Sequence, residues 1–165
     1  MFMVKNDINF KIDDIIFNCR AVAIIIYDDK ILFQKRKQDE FWALPGGKIR
    51  VGETTKEAIT RELKEELGLV NFNVSDVVTV SEYFFEFGKD KYHQFIFGHK
   101  VSVLDSEWIF NDETFTGIEE QENLEFKWFE LNELETEPIK PDFLKEQLEN
   151  LSSKEVQFTT YKEEK

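Results

Sequence analysis

Apolar residues in this chain fall into short runs separated by turn-forming residues, and the periodicity changes from run to run. Residues 19–36 hold Arg20-Ala-Val-Ala-Ile-Ile-Ile-Tyr27, a polar Asp28-Asp29-Lys30 group, then Ile31-Leu-Phe-Gln-Lys-Arg36. That order predicts two strands around a hairpin turn, with the β-branched Val22, Ile24, Ile25 and Ile26 suited to burial. Residues 41–45 lead into Gly46-Gly47, a tight turn where backbone approaches a ligand closely. Residues 54–67 contain no Pro or Gly and are rich in Glu, Lys, Leu and Ala, so they predict a helix. Thr54 or Thr55 caps its start, and Gly68 stands where a helix commonly ends.

Two longer apolar stretches, residues 74–87 and 92–103, predict strands joined around Gly88-Lys89-Asp90. Residues 125–131 predict a shorter strand carrying Trp128 and Phe129. Over residues 141–151, Phe143, Leu144, Leu148 and Leu151 share one stripe of a second helix. Residues 152–165 are compatible with either an edge strand or a frayed end. Strands, helix, strands, helix is the order of an α/β fold, a mixed sheet covered by helices.

At 165 residues and 41% hydrophobic, with no linker or repeat, the chain is expected to form a single domain over 1–165. No apolar run approaches the roughly 18 to 20 residues that cross a bilayer. Residues 1–11 lack the pattern of a secretory signal, and the lone Cys19 has no internal disulfide partner. The expected compartment is cytoplasmic, with Cys19 as a small buried hydrophobe. A net charge of −13 disfavours nucleic acid as a partner. It leaves room for a small phosphorylated substrate if cations stand between the two anions.

Glu62, Glu65 and Glu66 fall within an arc of about 100° on a helix. Three carboxylates on one face repel one another, and oxygen-rich clusters of this kind suit hard divalent ions. Ile59, Leu63 and Leu67 form an adjoining apolar stripe that anchors the same helix. For the glutamates alone, an ordinary acidic surface helix paired to Lys56, Arg61 and Lys64 is the stronger reading. The residues around them change that. From Gly47 the chain reads Gly-Lys-Ile-Arg-Val-Gly-Glu-Thr-Thr-Lys-Glu-Ala-Ile-Thr-Arg-Glu-Leu-Lys-Glu-Glu-Leu-Gly-Leu69. This resembles the Nudix box, G-x5-E-x7-R-E-U-x-E-E-x-G-U with U a bulky aliphatic, at every specified position. Those positions are Gly47, Glu53, Arg61, Glu62, Leu63, Glu65, Glu66, Gly68 and Leu69.

Resemblance to the Nudix (MutT-like) hydrolases implies an α/β/α sandwich with a central mixed β-sheet. It implies a Mg²⁺-dependent pyrophosphohydrolase, with Mn²⁺ as the substitute ion, acting on a nucleoside diphosphate-X compound. By the same resemblance Glu62, Glu65, Glu66 and the Gly46 carbonyl hold metal, joined by an acid of the loop at 117–128. Glu122 is the best match there, with Glu119 and Glu120 close by. Arg61 pairs with Glu53 as scaffold, and Glu62 or Glu65 is the general base. Lys48 and Arg50 are candidates for phosphate contact, and Trp42 or Phe41 for stacking on a base. His93, inside a strand, reads as a hydrogen-bonded partner rather than a catalyst.

Substrate choice lies outside the box. ADP-ribose-cleaving members often carry a proline beyond it, in the window where this chain has Phe84, Phe85 and Glu86. Diadenosine polyphosphate hydrolases often carry a tyrosine slightly later, where Phe85, Glu86 and Phe87 stand. Elimination leaves a nucleoside triphosphate or modified nucleotide in front. The expected partner is thus a small nucleotide, with a homodimer left open. The rival class, a nucleotide sensor that does not hydrolyse, usually shows a decayed box, whereas this box is intact.

Overall fold

Two pairs of aspartates make the first two reversals of the chain. In the computed structural model, which describes residues 6–164, Asp13 (φ 53°) turns β1 (Asn9–Ile12) back onto β2 (Ile15–Ile24). Asp28 and Asp29 (φ 51° and 60°) turn β3 (Ile26–Tyr27) onto β4 (Lys30–Arg36), the geometry a two-residue hairpin requires. The first hairpin was not anticipated. Its signal was the alternating Asn9-Phe-Lys-Ile12 followed by Asp13-Asp14.

After β5 (Gly46–Lys48) comes α1 (Thr55–Leu67), then β6 (Phe72–Phe87) and β7 (Asp90–Val103). The chain continues through β8 (Thr114–Thr116), β9 (Leu124–Glu130), α2 (Leu144–Glu149) and β10 (Gln157–Lys162). One sheet has the order β1-β2-β7-β6-β10, with β5 also paired to β2. It is mixed, because β2 runs parallel to β7 and β10 parallel to β6 while its other pairs are antiparallel. A second, antiparallel sheet has the order β3-β4-β9-β8.

Strand alternation sorts the core into two layers. Ala21, Ala23, Ile25 and Leu32 pack with Ala58, Ile59, Leu63 and Leu67 of α1. Val22, Ile24, Ile31 and Phe33 face the other way, onto Trp42, Leu44, Phe129 and Leu144 at the start of α2. One helix therefore covers each side, which is an α/β/α arrangement. Four wholly buried α1 side chains, several of them worth about 1.5–3 kcal/mol each, fix the helix and hence the carboxylates on its other face.

Thr54 is the cap. Its hydroxyl accepts from Glu57 N at 3.1 Å, while the Glu57 carboxylate accepts from Thr54 N at 2.8 Å. Gly68 ends the helix in the left-handed region (φ 60°). His99 locks the first turn from beneath: Nδ1 lies 2.9 Å from Ser75 O and Nε2 3.0 Å from Thr55 Oγ1. Burial lowers its pKa, so the neutral ring donates to the carbonyl and accepts from the hydroxyl.

The second helix is shorter than its pattern predicted, although Leu144, Leu148 and Leu151 all pack on the second layer and Phe143 is buried against Tyr83 and Tyr161. The C-terminal segment is an edge strand. Gln147 of α2 fastens it, donating to Ser81 Oγ at 2.7 Å and Thr159 Oγ1 at 3.3 Å, and accepting from Gln157 at 3.1 Å. Cys19 is partly buried against the α1 layer. Among the described residues no helix is long and apolar enough to cross a membrane.

Candidate active site

Gly46 and Gly47 are strand residues of β5 rather than the tight turn the sequence predicted, because both pair with β2, and they stand between β2 and α1. A Cβ at Gly46 (φ 155°) would lie 2.1 Å from Ala21 O, because β5 pairs with β2 at that point. A Cβ at Gly47 would lie 2.4 Å from the Glu62 carboxylate. Each glycine therefore admits one neighbour, backbone on one side and a carboxylate on the other.

Arg61 braces this contact. Its Nε and Nη2 bind the Glu53 carboxylate at 2.5 and 3.0 Å, and Nη2 also donates to Lys48 O at 3.1 Å. Its Nη1 reaches Glu62 at 2.7 Å and Glu65 at 3.3 Å. Glu53 also accepts from Arg50 N at 2.9 Å. The hydrogen bond from Arg61, above all, holds Glu53 below the usual carboxylate range. This pair ties the loop after β5 to α1. Arg61→Ala is expected to destabilise the fold by about 2–4 kcal/mol and to abolish activity together with it, since it leaves Glu53 without its charged partner. Denaturant melts beside turnover measurements would show whether the two losses coincide.

Glu66 is the buried member, 5% exposed, and its Oε2 has no hydrogen-bond partner. Burial first, and then the charge and hydrogen bonding of Glu62, push its pKa well above the carboxylate range, while Arg20 pulls the other way. Glu119 adds to the same repulsion. Glu65 is more open and lies 3.6 Å from Arg50 Nη2. Nearby, Gln34 donates to Gly46 O at 3.3 Å, and its own Oε1 is buried without a partner.

Glu62, Glu65, Glu66, Gly46, Lys48, Arg50, Arg61, Glu119 and Glu122 all line one cleft of about 590 Å³. Glu53 stands behind it, in contact with Arg61. Within the 117–128 loop, Glu119 is the acid that bears on Glu66, whereas Glu122 lies 3.8 Å from Arg36. Trp42 requires correction as a stacking residue. It is 8% exposed, edge-on to Phe129 at 5.2 Å, and belongs to the second core layer. Phe41, its neighbour, is the aromatic that lines the cleft and meets Phe87 edge-on at 5.9 Å. His93 faces away, stacked on Phe84 at 4.2 Å with Nε2 3.3 Å from Glu82.

Several cleft residues escaped the sequence reading. Asn18, Arg20, Ser81 and Gln94 lie on strand positions that face the cleft, and Gln94 donates to Asn18 at 2.8 Å. The signal was present as polar residues at every second position of otherwise apolar runs, Asn18 and Arg20 on β2 above all.

The cluster suits a hard divalent cation. Its donors are all oxygen, Glu66 Oε2 is an orphaned buried acceptor, and the repulsion between Glu62 and Glu66 is of the kind a cation relieves. Among the described residues no three acidic, His or Cys side chains converge tightly on one point, because Arg50 and Arg61 draw Glu62 and Glu65 toward themselves.

The sequence model for the NUDIX domain matches residues 18–151. The chain belongs to this family. An ADP-ribose pyrophosphatase from Methanocaldococcus jannaschii is 54% identical over 51 residues, 29% of this chain and 30% of that one. Among solved structures, a UDP-X diphosphatase superposes with a TM-score of 0.58 at 27% identity, covering 86% of this chain and 66% of that one. A MutT protein from Bacillus halodurans gives a TM-score of 0.58 at 21% identity, covering 88% and 90%. The last is a likeness of fold. The stretch shared with the pyrophosphatase is less than a third of either protein, and this chain spans just under two thirds of the UDP-X diphosphatase.

Proposed function

We propose that this Nudix protein hydrolyses a phosphoanhydride bond in a nucleoside diphosphate-X compound, with Mg²⁺ as its ion and Mn²⁺ as substitute. The observation that carries the reading is the packing of Glu62 against Gly47, beside Glu65 and Glu66, at one end of a cleft lined elsewhere by amides and aromatics. Glu62, Glu65, Glu66 and the Gly46 carbonyl would hold the ions, with Glu119 or Glu122 from the later loop. Bound there, the ions neutralise phosphate oxygens and lower the pKa of water. The protein's own groups supply the rest. Glu62 or Glu65 takes the proton from the attacking water, and the anhydride P–O bond breaks as the new P–O bond forms. Arg61 and Glu53 hold the helix and loop in register. The nucleoside part is expected to lie along the floor of the sheet, near Asn18 and Gln94.

Nucleoside triphosphates and modified nucleotides are the first substrates to test. The relatives named for ADP-ribose and UDP-X make nucleoside diphosphate conjugates the second set. Screening both sets with Mg²⁺ while following released phosphate, pyrophosphate and nucleotide product decides between them. Activity is expected to disappear with a chelator and to return with Mg²⁺ or Mn²⁺. Full turnover in metal-free buffer would overturn the mechanism.

A further inference from the structure

The cations around the cleft are nearly all engaged. Arg61 is committed to Glu53, Glu62 and Glu65. Arg50 lies 3.8 Å from Asp7 and 3.6 Å from Glu65, and Arg36 lies 3.8 Å from Glu122. Lys35 donates to Asp39 O at 3.3 Å, and Lys140 lies 3.1 Å from Asp142. Arg20 differs. It rises from β2 into the cleft, is partly buried, and makes no hydrogen bond or salt bridge within the described residues. It is also the one cation on the cleft-facing positions of β2, β6 and β7, where its neighbours along β2 are Asn18 and Val22.

That arrangement is unfavourable for the protein by itself. Burial works against the charge of Arg20, and only the more distant carboxylates of Glu66 and Glu62 support it. Directly across the β2–β5 pairing stands Lys48, so two like charges occupy opposed positions of adjacent strands. Lys48 also lines the cleft and makes no salt bridge within the described residues. A five-donor guanidinium without an acceptor, opposite a second cation and flanked by an acidic cluster, is stabilised when an anion enters between them.

We infer that Arg20 is the cation that grips the substrate's phosphate chain, binding the phosphate that lies between the glutamates of α1 and the Asn18–Gln94 arm. This rests on the reading of the cleft as a nucleoside diphosphate-X site, and it assigns to β2 a specificity-determining residue that lies outside the box. Arg20 selects for a phosphate by its planar fork, with Lys48 adding charge from β5.

Binding rather than hydrolysis tests it. Titrating the purified protein with inorganic pyrophosphate in Mg²⁺, by calorimetry, should show Arg20→Met weakening affinity by about 10–100-fold and Arg20→Lys falling between. Binding of Mn²⁺ alone should be unchanged or tighter in Arg20→Met, because a positive charge has left the neighbourhood of Glu62 and Glu66. The melting temperature should hold or rise. A merely structural role would weaken pyrophosphate and Mn²⁺ binding together and lower the melt, which would overturn the inference. Equal pyrophosphate affinity in the wild type and Arg20→Met would also overturn it, as would a wild type that binds no pyrophosphate. A wild type that binds pyrophosphate through Arg20 yet hydrolyses no nucleotide would support the inference and defeat the proposed activity instead.

Discussion

Glu62→Gln and Glu65→Gln are each expected to lower turnover by about 10²–10⁴-fold while the protein stays folded. Glutamine keeps the size of the side chain and an acceptor oxygen, so the hydrogen bonds from Arg61 at 2.7 and 3.3 Å persist in weaker form. What disappears is the negative charge, and with it the capacity to hold a divalent ion or take a proton from water. The effect on stability is expected to be small. At position 62, losing a charge-assisted bond to Arg61 is offset by removing the like charge that raises the Glu66 pKa, and at position 65 the bond to Arg61 is long and exposed, so little is lost. Turnover of the best substrate at saturating Mg²⁺, with thermal melts of each variant, measures both halves. Near-normal turnover in both variants would remove α1 from the chemistry.

The two glycines of β5 should separate in the opposite way when each is changed to alanine. At Gly46 the added Cβ meets backbone, Ala21 O at 2.1 Å and Val22 Cα at 2.9 Å, at a φ of 155° that side chains rarely adopt. Neither neighbour can rotate away without breaking the β2–β5 pairing. Gly46→Ala is therefore expected to destabilise the fold by about 2–5 kcal/mol. For a chain of this size that is a fall in Tm of about 5–20 °C. At Gly47 the Cβ meets only the end of Glu62, 2.4 Å away, and that side chain can swing. Gly47→Ala should keep most of its stability but lose turnover on the order of 10²-fold, since a displacement of about 1 Å at a reacting group carries that penalty. Thermal melts and kcat for the pair form the test. Should Gly47→Ala retain full activity, the position of Glu62 against β5 is not part of the mechanism.

The sequence by itself determined α1, its caps, and the carboxylate stripe across it. Each depends on residues within a turn or two of one another: Thr54 and Glu57 for the cap, Gly68 for the stop, 3.6-residue periodicity for the face. The hairpin at Asp28-Asp29 and the long β6–β7 pair were legible for the same reason, because turn chemistry and alternation are local. The Glu53–Arg61 pairing came from the box resemblance and was matched in geometry by the 2.5 and 3.0 Å contacts.

Alternation put Asn18 and Arg20 on one face of β2, but only the tertiary structure decided which residues of separate strands share the cleft. Register across β2, β7 and β6 turned Asn18, Arg20 and Gln94 into the cleft and His93 out of it, and no local signal carries register. Trp42 and Phe41 are adjacent, so the pattern could not say which of them was core; packing against Phe129 chose Trp42. In the acidic loop, Glu119 and Glu122 are chemically alike. The charge of Glu119 bears on Glu66 while Glu122 lies beside Arg36, and folding alone brought those groups close. The C-terminal strand likewise took its place through Gln147, whose bonds to Ser81 and Thr159 join three elements distant in the chain. Local propensity writes elements into a sequence, whereas a site made from opposite ends of a sheet exists only once long-range pairing has closed it.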